Sequence, residues 1–322
     1  MKKIISLLIL LSLTLLSLVA CGEPEDDTKI RVGYMAGPTG MGMAKLIHDN
    51  GGAELGNEKY SFKKYADTEA AKRDLTKGEI DVICIPTNEA ATYYMATDDN
   101  NLVLAVNTLN TLYLLTDGSN TVTQLSDLAN KTVYTCSNGT PNEIVEHLFE
   151  TAKIEVTVST SFEGSEIKTP AQLGALIIAG KLDYAVVPEP IVTSALLQNN
   201  SYSVDLNIGT EWKNICKSEI AMGCLYANKT FVQKHPKAIN AFLDEYKASV
   251  EFISKAENRD TAAEYVVETG IMAAAAPAKK ALANLGDSIT YIEGAEMKAM
   301  LVTFYKAVGI NAPQNKNFYY ER

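Results

Sequence analysis

The stretch "GEIDVICIPTN", Gly78–Asn88, is written again as "GKLDYAVVPEP", Gly180–Pro190. Both run glycine, charged residue, Ile or Leu, Asp, four residues of apolar character, then Pro. A glycine just past a helical pattern supplies the left-handed residue that ends a helix. The apolar run reads as a buried strand, and proline stops it because it cannot continue the ladder. Each phrase therefore predicts a helix end, a strand and a stop at the strand's carboxyl end. In open α/β sheets that end is where ligands bind.

Working outward, the chain before each phrase repeats as well. "IRVGYMA" is strand-like, "GPTGMGMAKLIHDNGG" is a turn and helix, "YSFKKYA" a strand and "DTEAAKRDLTKG" a helix capped by Asp67. The same order restarts at Lys131 with "KTVYTC", "SNGTP", "NEIVEHLFETA", "IEVTVST" and "TPAQLGALIIAG". Gly37 and Gly139, Leu46 and Leu148, Gly78 and Gly180, Asp81 and Asp183, and Pro86 and Pro188 are all 102 positions apart. Two β-α-β-α-β units in one register predict two similar lobes, each a mainly parallel sheet flanked by helices. The β-rich stretch "LAVNTLNTLYLLTDG" joins them and leaves Thr108 to Asn110 near a hinge. After the second unit, "SEIAMGCLYANKTFV" reads as a strand returning to the first lobe. A strong amphipathic helix from Pro236 follows it, with Ile239, Phe242, Leu243, Tyr246, Val250 and Ile253 on one face.

The two ends of the chain bound its location. Lys2 and Lys3 precede the uncharged run Ile4–Ala20, the pattern of a secretory signal. "GEPEDDT", Gly22–Thr28, is acidic and without apolar residues, and reads as a solvated tether. Without residues 1–20 the chain keeps 27 basic against 39 acidic residues, a net charge of −12. Such a surface repels nucleic acid, and no basic stripe offsets it. Cys84, Cys136, Cys216 and Cys224 form no C-x-x-C pair, although a Cys216–Cys224 bridge is an option outside the cell. His48, His147 and His235 lack metal-ligand spacing, so neither metal nor cofactor is expected.

"LVAC", Leu18–Cys21, resembles the lipobox of bacterial lipoproteins, which implies lipid attachment at Cys21 and residence on the outer face of the cytoplasmic membrane. The body resembles substrate-binding proteins of ABC importers, in the nitrate/sulfonate/taurine and thiamine-precursor (SsuA/THI5-like) group. The segments that carry the likeness are "RVGYMAGPTGMGMAKL", "KGEIDVICIPTNEAA", "NTLNTLYLL", "VVPEPIVTSAL" and "FLDEYKASVEFI". The resemblance implies a two-lobed type II periplasmic-binding-protein-like fold, with lobe 1 at 29–110 and 220–322 and lobe 2 at 111–219. It also implies capture of a small organic solute by closure, permease and ATPase partners, and a monomer.

Position then assigns the expected ligand contacts. Gly37, Pro38, Thr39, Gly40 and Met41 lie on one lobe, with Pro86, Thr87, Asn88 and Thr108. Asn138, Gly139, Thr140 and Pro141 lie on the other, with Pro188, Glu189 and Pro190. The two turns present backbone N–H groups at helix N-termini, which favour a negative group. Glu189 suits a ligand that also carries an N–H donor, and Tyr34, Tyr93, Tyr184 and Met41 are candidates for an apolar wall. No arginine falls in these loops, so the bidentate clamp for a strong anion is missing. The alternatives are an enzyme on the same fold, for instance with Cys136 as nucleophile and His147 as base, and a ligand-sensing surface lipoprotein without transport.

Overall fold

The computed structural model describes residues 26–96, 100–311, 313 and 316–322. The expected export signal, Cys21 and the start of the expected acidic tether lie outside the described residues.

Two sheets organise the chain. The first takes β1 (Ile30–Met35), β2 (Tyr60–Tyr65), β3 (Val82–Pro86) and β4 (Asn101–Leu109). The second takes β5 (Leu112–Asp117), β6 (Thr132–Tyr134) and β7 (Thr157–Ser159), and a small hairpin comes next, β8 (Ser161–Phe162) with β9 (Ser165–Glu166). β10 (Tyr184–Pro188) and β11 (Tyr202–Asn207) complete it, and β12 (Ala221–Asn228) and β13 (Ile289–Ile292) return to the first. The orders are β13-β4-β12-β3-β1-β2 and β11-β5-β10-β6-β7.

The repeat is visible in these orders, since β2-β1-β3 and β7-β6-β10 are equivalent parallel trios. Helices Thr68–Thr76 and Pro170–Ile178, and strands β3 and β10, keep the 102-residue offset end to end. Between them the halves differ: the first inserts a short helix, Gly52–Leu55, and the second inserts the β8–β9 hairpin. The two insertions offset each other, which is why the register recovers. Gly78 and Gly180 both sit at positive φ, 68° and 66°, closing their helices as their sequence positions require.

The sheets are mixed rather than mainly parallel. Each parallel trio gains antiparallel neighbours from elsewhere in the chain: β12, β4 and β13 in the first sheet, β5 and β11 in the second. The phrase-ending prolines stop their strands as expected, since β3 ends at Pro86 and β10 at Pro188. Pro86 runs directly into helix Thr87–Ala96, and Pro188 leads into helix Ile191–Gln198.

The first crossover between sheets is a short link. β4 ends at Leu109 in one sheet and β5 begins at Leu112 in the other. Asn110, at φ 53°, turns the chain there. The second crossing strand, entering β12, lies against it. Asn110 N donates to Ile220 O at 3.1 Å, Asn110 Oδ1 accepts from Ile220 N at 2.9 Å, and its Nδ2 donates to Glu219 at 2.7 Å. Asparagine tolerates the left-handed region better than most residues, and its amide supplies both donor and acceptor.

Packing agrees with the sequence pattern. The predicted face of helix Pro236–Ser254 is buried at all six apolar positions against the first sheet. Helix Gly294–Ala307 covers the opposite side, and Phe304 reaches Trp212 of helix Ile208–Cys216 with ring centroids 6.2 Å apart. All four described cysteines are free, so the Cys216–Cys224 option is not taken up. Among the described residues no helix is long and apolar enough to cross a membrane.

Asn110→Ala removes both side-chain bonds and leaves a β-carbon at positive φ. It should lower the unfolding free energy by about 2–3 kcal/mol in a denaturant titration, and Asn110→Gly should recover only the backbone part of that loss.

Candidate functional site

The carboxyl ends of β3, β4 and β1 converge on one side of the crossover. Gly223 of β12 lies opposite Pro86 of β3 and Thr108 of β4. A β-carbon at Gly223 would stand 2.2 Å from Thr39 Cγ2 and 2.8 Å from Asn107 Oδ1, so the Thr39 turn rests on the bare backbone there. Asn107 Nδ2 reaches Thr39 O at 3.4 Å, and Thr108 Oγ1 donates to Asn107 Oδ1 at 3.0 Å. Thr39, Pro86 and Thr108 are therefore brought together. Neither Asn107 nor Gly223 was among the expected contacts, although a glycine inside a strand signals close approach.

Other expected contacts on this lobe are engaged internally. Thr87 Oγ1 donates to Ala221 O at 2.5 Å, and Thr87 O accepts from Tyr305 at 2.7 Å. Segment Pro38–Met41 is a single four-residue turn, and Gly40 and Met41 both donate to Gly37 O at 3.0 Å. It is too short to present a helix dipole, contrary to the expectation drawn from "GPTG". Met41 is fully buried in the core, not a cleft wall. Asn88, in the first turn of helix Thr87–Ala96, has an Oδ1 shut from solvent and without a partner.

On the second sheet, Pro188 pairs with Leu112 and Glu189 N donates to Thr111 O at 3.1 Å. Pro188 and Glu189 thus abut the same crossover from the other side. Glu189 is 1% exposed, and both its oxygens are held. Oε2 accepts from Thr193 N at 3.1 Å, while Oε1 accepts from Thr193 Oγ1 at 2.9 Å and Asn284 Nδ2 at 2.6 Å. It is neither a solvated rim charge nor an open acceptor. It caps helix Ile191–Gln198, whose N-cap is Pro190, and ties it to helix Ala275–Leu285. Tyr113 adds a bond to Asn284 O at 2.8 Å. Asn284 carries no local signal in the sequence; its role exists only once the chain has folded.

Asn138, Gly139, Thr140 and Pro141 lead from β6 into helix Pro141–Ala152, a full twelve-residue element. Gly139 takes φ 84° and Pro141 the first helical position, which suits its fixed φ. Cys136 Sγ lies 3.6 Å from Asn138 O, and the thiol is pushed up to about 11, mainly by burial with the Glu143 charge adding. Such a thiol stays protonated, and His147 stands elsewhere, 5.3 Å from the Trp212 ring and bonded to Thr151. The imagined Cys136–His147 pair is not assembled.

The tyrosine wall is not assembled either. Tyr34 donates to Thr269 O, Tyr93 to Lys72 O, and Tyr184, at the start of β10, to Asn120. Each is anchored within its own lobe. Two surface grooves, of about 560 and 300 Å³, lie on the first lobe near Pro236 and Tyr60 and include none of the strand-end residues. Among the described residues no group of three or more His, Cys, Asp or Glu could hold a metal ion.

The family model described as NMT1/THI5 like matches residues 63–258, more than half of the chain, and the protein belongs to that family. No curated protein matches the sequence. Among solved structures, an ABC transporter from Parabacteroides distasonis superimposes with a TM-score of 0.72 at 22% identity, over 92% of this chain and 99% of that one. The periplasmic aliphatic sulphonate binding protein SsuA from Escherichia coli gives 0.70 at 17% identity, over 93% of each chain. The periplasmic nitrate-binding protein NrtA from Synechocystis PCC 6803 gives 0.59 at 16%, over 85% of this chain and 76% of that one. At these identities the likeness is one of fold, the type II periplasmic-binding-protein fold.

Glu189→Ala leaves Thr193 N and Thr193 Oγ1 without their acceptor and Asn284 Nδ2 with only its 3.3 Å bond to Thr193 Oγ1, and should cost about 3 kcal/mol in chemical unfolding. Burial also holds the Glu189 carboxyl above its ordinary value of 4.5. The folded state then keeps a proton that the unfolded chain has released, so this residue's contribution to stability falls as pH rises above 4.5. Glu189→Gln should flatten that part of the stability–pH curve.

Proposed function

We propose that this member of the NMT1/THI5-like family is the solute-capturing component of an ABC importer. It is exported, held by lipid on Cys21 at the outer face of the cytoplasmic membrane, and binds a small organic solute between lobe 1 (29–110 and 220–322) and lobe 2 (111–219). It acts as a monomer and hands the solute to permease and ATPase subunits. The observation that carries this reading is the placement of two duplicated sets of strand ends on either side of one crossover. A solute touching both sets favours the closed form, since that form alone makes both sets of contacts.

Three features favour capture over catalysis. Cys136 is held as a buried thiol, away from His147. The three solved structures named above are an ABC transporter and two binding proteins by description. The contacts at Thr39, Thr108 and Thr140 are neutral hydroxyls, suited to holding a ligand rather than transforming it.

Thermal unfolding with a panel of sulfonates, carboxylates, amino compounds and nitrate tests this. A true ligand at ~100 times its dissociation constant adds about 2.7 kcal/mol of stability and is recovered unchanged by mass spectrometry. Conversion of the bound compound would move the protein to the enzyme class. Gly223→Ala, whose β-carbon meets Thr39, should weaken the same ligand about tenfold or more, equivalent to about 1.4 kcal/mol, by calorimetry.

A further inference from the structure

One histidine clamps residues Asp26 to Thr28 to the body. His235 Nδ1 lies 2.9 Å from Thr28 Oγ1 and 3.2 Å from both carboxylate oxygens of Asp26. Thr28 N also donates to Asp26 Oδ1 at 3.3 Å. The chain then enters the first sheet, where Ile30 N donates to Lys59 O at 2.8 Å.

The clamp stands at the amino-terminal edge of that sheet. Ala227 pairs with Val82, the first residue of β3, and Asn228 caps helix Lys229–Lys234, which ends at His235. Helix Pro236–Ser254 starts from the same histidine. The candidate site lies at the other edge, past the carboxyl ends of β1, β3 and β4.

Length decides which edge a lipid on Cys21 can draw to a membrane. Asp26 is five residues past Cys21. Even fully extended, that much chain reaches at most about 18 Å. The six residues of β1 alone cover about 17 Å, the clamp stands before them, and the turn at Thr39 lies beyond them. The edge at Thr39 is therefore out of reach. Without the clamp the lead would run nine residues, from Cys21 to Ile30, with a reach of about 32 Å. The His235 contacts remove that freedom.

The face around the clamp suits a phospholipid surface. Two grooves flank His235. One, of about 560 Å³, takes in Lys229, Pro236 and Lys298; the other, of about 300 Å³, takes in Asp26, Lys59 and Lys237. Lys234 and Lys237 are exposed, and the sequence holds no acid from Lys229 to Leu243. Of the acids lining the smaller groove, Asp26 is taken by His235 and Glu245 by Lys59, while Asp27 is exposed. Lysines close to a bilayer are drawn to anionic headgroups, and their apolar stems lie along the protein while the ammonium reaches out.

We infer that the clamped tether makes this end of lobe 1 a foot: the lipidated protein rests it on phospholipid headgroups, with Lys229, Lys234 and Lys237 toward the phosphates and the candidate cleft turned to the outer medium. This rests on the lipid anchoring proposed above and adds which face meets the membrane.

Lysine acetylation, read by mass spectrometry, tests it on the lipoprotein inserted into preformed vesicles of equal parts phosphatidylcholine and phosphatidylglycerol. The comparison is a chain lengthened by about twenty Gly and Ser residues after Gly22, which frees the body from the surface. Lys234 and Lys237 should react about fivefold or more slowly in the native chain than in the lengthened one, since surface attraction fades within a Debye length. Lys168 is exposed at the lobe 2 edge, where its carbonyl accepts from Asn138 N at 2.9 Å. Its rate should differ by less than about twofold, because it stands clear of the headgroups. His235→Ala, with its longer lead, should speed Lys234 and Lys237 about twofold or more. Equal rates in the native and lengthened chains, slowing of Lys168, or no effect of His235→Ala would each overturn the inference and leave anchored solute capture standing. The mass of the amino-terminal peptide shows separately whether Cys21 carries lipid; if it does not, the anchoring and this inference fail together.

Discussion

The fold depends on a knot of hydrogen bonds no wider than one residue. Asn110 carries the chain from the first sheet to the second, and Ile220 carries it back; the two are tied through backbone and side chain together. A left-handed turn is needed at Asn110 because β4 and β5 belong to different sheets and are separated by two residues. The two crossing segments are thus bonded to each other between the sheets. Two further contacts ring it: Phe304 against Trp212, and Asn284 against Glu189.

That constraint explains where the candidate site lies. Pro86 and Thr108 come within one strand pairing of the crossover on one side, and Pro188 and Glu189 do so on the other. Duplication supplies two similar edges, and the short link holds them as neighbours. The edges are not chemically equal. In lobe 1 the turn at Gly37 bonds to itself, whereas in lobe 2 a longer helix begins with buried oxygens left open. Arginine plays no visible part in either edge. Arg31 is paired with Asp81, Arg322 with Asp244 and Glu293, and Arg73 and Arg259 lie on helices of lobe 1.

Much of this architecture was legible in the sequence, and the reason is local. Glycine at a helix end, an apolar run and a proline fix a helix-to-strand unit within a dozen residues, and a repeated offset then fixes two lobes. The offset survived because the Gly52–Leu55 turn and the β8–β9 hairpin offset each other, which no inspection of either half alone reveals. What escaped depends on partners far away in the chain. Glu189 reads as an acceptor for a ligand until Asn284 arrives from a helix 95 residues on. Tyr34 reads as a wall until Thr269 accepts its hydroxyl. The helices after Pro86 and Pro188 were hidden because proline at a strand end signals a stop and does not specify the next element. Of the site, the turns were legible and their chemistry was not. Thr140 stands out by its place in a turn, but only burial isolates its oxygen.

The central claim is that two lobes, hinged at Asn110, close on a solute held between their strand ends. Small-angle X-ray scattering of the purified protein, titrated with a solute that raises its melting temperature, tests this most directly. The account predicts a smaller radius of gyration that saturates with the same midpoint as binding. A radius unchanged at full occupancy would contradict it.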